Sequence, residues 1–114
     1  MQSMVKYGYS QTGGTSVIKD IKYKNFKTFF ANFQTGDEFI KLKNETIAIK
    51  IDVEGHEINV LEGLKNILKR NKVILQVEIY EKNFEIVNNR ILSFGYKPIF
   101  KVRERSNYFY INIK

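Results

Sequence analysis

The 114-residue chain contains no cysteine, so disulfides and thiolate zinc sites are excluded, and the absence is compatible with a cytoplasmic protein. No apolar run approaches the ~20 residues a membrane-spanning helix needs, and the amino terminus lacks the charged-then-apolar order of a secretory signal. Neither membrane nor export is expected. Histidine occurs once, as His56, and His56-Glu57 has no second histidine at helical spacing, which removes zinc-protease chemistry. The only adjacent glycines, Gly13-Gly14, follow a short polar lead and precede no apolar helix. They fail the strand-turn-helix context of a nucleotide-binding fingerprint.

What is present has globular proportions, with 43% hydrophobic and 27% charged residues, enough for one domain with a modest core. The formal net charge of +7 raises nucleic acid or an anionic surface as a partner. The lysines, however, are scattered among acids through both halves, without the basic, aromatic-interleaved stripe of single-strand binders. No nucleic-acid partner is expected.

Residues 1–15, rich in Gly, Ser, Thr and Gln, read as a loose lead or a short edge strand around Val5 to Tyr9. Residues 16–34 alternate as two strands joined near Lys24-Asn25, with a helical stripe of Phe26, Phe29, Phe30 and Phe33 as the alternative. Thr35 to Lys43 reads as a short helix capped by Thr35, with Asp37 and Glu38 in its first turn. The run Thr46 to Asp52 is β-branched and apolar, as in a strand buried on both faces. Ile58, Leu61, Leu64, Ile67 and Leu68 then recur at helical spacing to about Arg70. Lys72 to Tyr80 is the next strand, and Asn83 to Phe94 a helix with Phe84, Val87, Ile91 and Leu92 inward and Gly95 as its stop. Tyr96 to Val102 and Asn107 to Ile113 pair as an antiparallel hairpin across the charged tip Arg103 to Ser106. Phe84, Phe94, Tyr96 and Phe100 read as core. The order is that of an α/β fold whose 35–114 portion forms the core.

The string Ile49-Lys50-Ile51-Asp52-Val53-Glu54-Gly55-His56-Glu57, with Val60-Leu61-Glu62-Gly63 after it, resembles the signature of FkbM-type methyltransferases, which use S-adenosylmethionine (SAM). Thr35-Gly36-Asp37-Glu38 is similar to a segment that the family places upstream, and Val73 to Ile79 to its next core strand. The resemblance covers roughly residues 34 to 114. It implies a partial Rossmann-like class I methyltransferase sheet, with parallel strands and the last strand inserted antiparallel. It also implies SAM as cofactor and O-methylation of a hydroxyl on a small molecule, sugar or glycan. The family's opening strand with its glycine-rich turn, and the acid that holds the ribose, have no counterpart here. The chain is therefore expected to be the carboxyl-terminal part of one domain, truncated or split.

A strand of this fold ends where ligands bind, and Asp52 stands at that end. Its carboxylate can face the methyl donor or orient the acceptor hydroxyl and take its proton. Glu54 and Glu57 can assist or cap the helix that follows. Gly55 allows a tight turn or close approach of the cofactor. Glu78, ending the next strand beside Tyr80, matches an acid of the resembling family and can border the acceptor pocket, or can simply meet solvent. Hard oxygen ligands would suit magnesium or calcium, but the spacing matches no calcium loop, and no metal is expected. His56 reads as a variable turn residue. Four strands leave one flank of Thr46 to Asp52 unpaired, so a second copy or a missing amino-terminal half is the expected partner. A non-catalytic interaction module using that edge is the alternative.

Overall fold

The computed structural model describes residues 2–7, 16–18, 27–102 and 106–113, which belong to two compact units, Met1–Gln34 and Thr35–Lys114. The first unit is a three-stranded antiparallel sheet of β1 (Gln2–Tyr7), β2 (Ser16–Ile18) and β3 (Lys27–Asn32), in the order β2-β1-β3. Met4 lies opposite Ile18 on one side and Phe30 on the other. The strand reading of the aromatic stretch therefore holds over β3, but β2 and β3 do not pair with each other. Both flank β1, a strand that begins earlier than Val5 and occupies the centre instead of an edge. Alternation along a strand reports its faces and says nothing of its neighbours, so the pattern in residues 16–34 does not reveal that β1 lies between the two strands. Lys24 and Asn25 lie outside the described residues.

The second unit carries α1 (Gly36–Phe39), β4 (Thr46–Ile51), α2 (Glu57–Gly63), α3 (Lys65–Arg70), β5 (Lys72–Glu78), α4 (Phe84–Ser93), β6 (Lys97–Val102) and β7 (Asn107–Ile111). Its mixed sheet has the order β4-β5-β7-β6. β4 and β5 run parallel with Ile51 opposite Val77, while β7 lies between β5 and β6 and is antiparallel to both. The expected parallel pair and terminal hairpin are both present. Arg103 to Arg105, in the hairpin's tip, lie outside the described residues.

On β5, Val73, Leu75, Val77 and Ile79 are buried, whereas Lys72, Ile74 and Gln76 between them face outward or partly so. The inward row packs with Ile51, Leu61, Leu68, Val87, Ile91, Tyr96 and Tyr110 into one core. β4 follows the same alternation, with only Ile51 fully enclosed. It is not buried on both faces: its apolar composition reaches the core with Ile47, Ile49 and Ile51 and leaves Ala48 exposed. On α4, Val87 and Ile91 are inward as expected and Leu92 is exposed. Tyr96 is core, Phe84 and Phe94 pack against it, and the Phe100 side chain is outside what is described.

The helices are shorter than the sequence suggests. Thr35 caps α1 in a reciprocal box with Glu38, but the helix stops at Phe39, before Lys41 and Lys43. The helix expected from Glu57 to Arg70 is two, broken at Leu64. The cause lies upstream: the Asp37 carboxylate accepts hydrogen bonds from the backbone N–H groups of Asn66 (2.8 Å) and Ile67 (3.0 Å), restarting the helix as α3. Thr35 also packs on Gly63, where an added Cβ would lie 3.3 Å from the Thr35 Cβ. A single turn of 3-10 helix, Glu81–Asn83, leads into α4, and Gly95 ends that helix at φ +86°.

Candidate functional site

β4 turns into α2 through Val53 to His56, with the His56 N–H bonded to the Val53 carbonyl at 3.3 Å. Both central residues have positive φ, Glu54 at 53° and Gly55 at 97°, the backbone of a type I′ turn. Gly55 is thus required by conformation, since a Cβ there would meet only the Asn83 side-chain nitrogen at 3.9 Å. Glu54 holds the left-handed conformation with a side chain in place, a cost of about 1 kcal/mol that the surroundings must offset.

The parallel register sets what meets at this turn. Because Ile51 lies opposite Val77, the residues one and three steps on, Asp52 with Glu78 and Glu54 with Tyr80, are brought together at the carboxyl ends of β4 and β5. The Asp52 carboxylate hydrogen-bonds the Glu78 carboxyl and, with burial and the negative charge of Asp52 and Glu54, holds Glu78 above the usual carboxylic range. The Tyr80 hydroxyl donates to Glu54. That bond, followed by burial and the same negative charge, pushes the phenol up to about 12. Lys50 lies 3.6 Å from Asp52 and supplies partial neutralisation.

Glu57 has a different placement. It is 2% exposed, and its carboxylate accepts the Gly55 N–H at 2.9 Å, so it braces the turn from within. His56 is hydrogen-bonded by the Asn59 side chain at about 3.0 Å. Of the residues expected to carry chemistry, Asp52, Glu54 and Glu78 therefore converge, Glu57 supports them from beneath, and Gly55 permits the backbone to turn. Tyr80 and Lys50 complete the cluster without having been given roles from sequence. Writing residues 50–54 beside 76–80 in parallel register would have found Tyr80. Among the described residues, no three His, Asp or Glu side chains group as metal ligands, and no helix is long and apolar enough to cross a membrane.

The chemistry this arrangement offers is that of an anionic rim in which the charges of Asp52 and Glu54 oppose ionisation of Glu78. Two adjacent carboxyls resist double ionisation, so one can accept a hydrogen bond from a hydroxyl while the other retains the proton. Comparison with known proteins adds one finding. Residues 3–98 match the family model of the methyltransferase FkbM domain. The matched stretch begins well upstream of residue 34, where the sequence resemblance was first legible. No curated protein and no solved structure matched the chain.

Proposed function

The chain belongs to the FkbM methyltransferase family, and from that premise we propose that it takes part in SAM-dependent transfer of a methyl group to a hydroxyl of a small molecule, sugar or glycan. The observation carrying this reading is the convergence of Asp52, Glu54 and Glu78 at the carboxyl ends of two parallel strands, where α/β sheets bind ligands. The strand order β4-β5-β7-β6, with β7 inserted antiparallel, supports reading the sheet as part of a Rossmann-like class I methyltransferase fold.

The donor set suits SAM at its sulfonium end, where a positive centre would meet carboxylates; Asp52 and the backbone at Gly55 are the groups that would lie against it. SAM when bound supplies an electrophilic methyl group, with a thioether as leaving group. This chain's residues orient and deprotonate the acceptor. With SAM bound, the Asp52–Glu78 pair would hold the acceptor hydroxyl and take up its proton. Tyr80 keeps Glu54 in place, and Glu57 keeps the turn itself in place through Gly55.

Calorimetric titration of the full chain with SAM tests the reading. Saturable binding that weakens in Asp52→Asn supports it, and absence of heat at about 1 mM ligand, the edge of useful affinity, removes the autonomous enzyme. The second reading, a non-catalytic module associating through β4, draws on one observation: β4 is the terminal strand of its sheet and has β5 as its sole strand partner among the described residues. A second copy or an amino-terminal half of the domain would then be its partner. SAM-independent self-association would favour it.

A further inference from the structure

At the amino-terminal ends of β4 and β5, opposite the carboxylate cluster, lies a cavity of about 320 Å³, formed where residues 40–43 lead into β4 and Arg70 ends α3 before β5. Its lining combines the apolar side chains of Ile40, Leu42 and Ile67 with the cationic ones of Lys41, Lys43 and Arg70. Asp37 is the only acid among the lining residues, and both its oxygens already accept backbone N–H groups from α3. Lys41 donates to the Asp37 backbone carbonyl at 2.8 Å. Lys43 and Arg70 have no acid partner among the described residues. Among the described residues the three cations of the rim thus outnumber the single carboxylate beside them, that of Asp37.

The walls are held by buried polar bonds. Asn71, 5% exposed, accepts the Glu45 N–H and donates to the carbonyls of Leu42 and Ile67. The Asn44 N–H donates to the Arg70 carbonyl at 3.0 Å. These bonds tie the loop before β4 to the end of α3, so the cavity does not depend on surface side chains alone.

We propose that this cavity binds a small phosphate ester, with its phosphate on Lys43 and Arg70 and its organic body on Ile40, Leu42 and Ile67. A guanidinium fork beside an ammonium matches phosphate oxygens in geometry and charge. The volume lies at the small end of ligand pockets, roughly 300–1,000 Å³, and Ile40, Leu42 and Ile67 offer apolar contact that a bare anion cannot use. Strands of six or seven residues separate this site from the carboxylate cluster by about 20 Å, so the two ligands would not compete.

Calorimetry on the full chain at low salt, with phenyl phosphate and inorganic phosphate as probes, decides the matter. Phenyl phosphate should saturate the site and bind about tenfold more tightly than inorganic phosphate, the return on burying one small ring. Arg70→Ala and Lys43→Ala should each weaken phenyl phosphate about tenfold, whereas Lys82→Ala, beyond the carboxyl end of β5, should leave it unchanged. Both rim residues are exposed, and circular dichroism checks that the variants fold. Amide shifts at Asn44 and Asn66 on adding phenyl phosphate should localise the contact. No saturable heat, equal affinity for the two probes, or equal loss in Lys82→Ala overturns the proposal. So does tighter, steeply salt-dependent binding of an oligonucleotide, which would make the rim a polyanion surface.

Discussion

At the scale of single residues, the carboxyl pair gives the sharpest expectation. Glu78 is held above its ordinary value of 4.5, so between that value and its raised folded one the native state binds more protons than the unfolded chain. Stability from this group is present at acid pH and is lost as pH rises through the window. Glu78→Gln, which can still donate to Asp52, should therefore gain on the wild type as pH rises from 4.5 toward neutrality. Urea midpoints across that range check the sign, and a constant gap would refute it. Tyr80 offers a second readout: two phenols, Tyr80 and the buried Tyr110, are pushed up to about 12, and ultraviolet titration should lose one of them in Tyr80→Phe and see one move back toward 10.0 in Glu54→Gln. Asp52, Glu54 and Glu78 were legible in the sequence because strand ends and carboxylates can be counted. The inward turn of Glu57 was not, since its neighbour is a backbone amide exposed only once Gly55 takes positive φ.

Among the elements, local chemistry was readable and distant chemistry was not. The cap at Thr35 and the stop at Gly95 each depend on residues within a few positions of one another. The break between α2 and α3 depends on Asp37, some 29 residues before the amide it caps, and helical periodicity runs straight through it. This makes Asp37 a structural acid of the second unit. Asp37→Ala should cost about 1–2 kcal/mol, with urea denaturation as the measure and Asp37→Asn recovering part of the loss. Asn71 illustrates the same limit. Its side chain joins the loop before β4 to α3, and Asn112 donates to its carbonyl. Asn71→Leu should cost more than the capping variant, about 3 kcal/mol, because several buried groups lose partners at once.

For the whole molecule, the sequence pointed to the α/β class and to the insertion of β7, but it misjudged how many faces of the sheet are covered. β-branched residues suit any pleated surface, and composition does not reveal whether a second layer packs above. The row Val73, Leu75, Val77 is buried, while Ile74, between the first two, is 44% exposed. Adjacent residues of similar chemistry thus stand on opposite sides of one strand, which turns the layering into a measurable contrast. Leu75→Ala removes a fully enclosed side chain and should destabilise by about 3 kcal/mol. Ile74→Ala removes one that already meets solvent and should cost about 1 kcal/mol or less. Equal losses in urea denaturation would mean that the outer face is covered as the inner one is, whether by a second copy or by another part of the chain. Repeating the pair at several protein concentrations separates those cases, because cover supplied by a second copy must weaken on dilution.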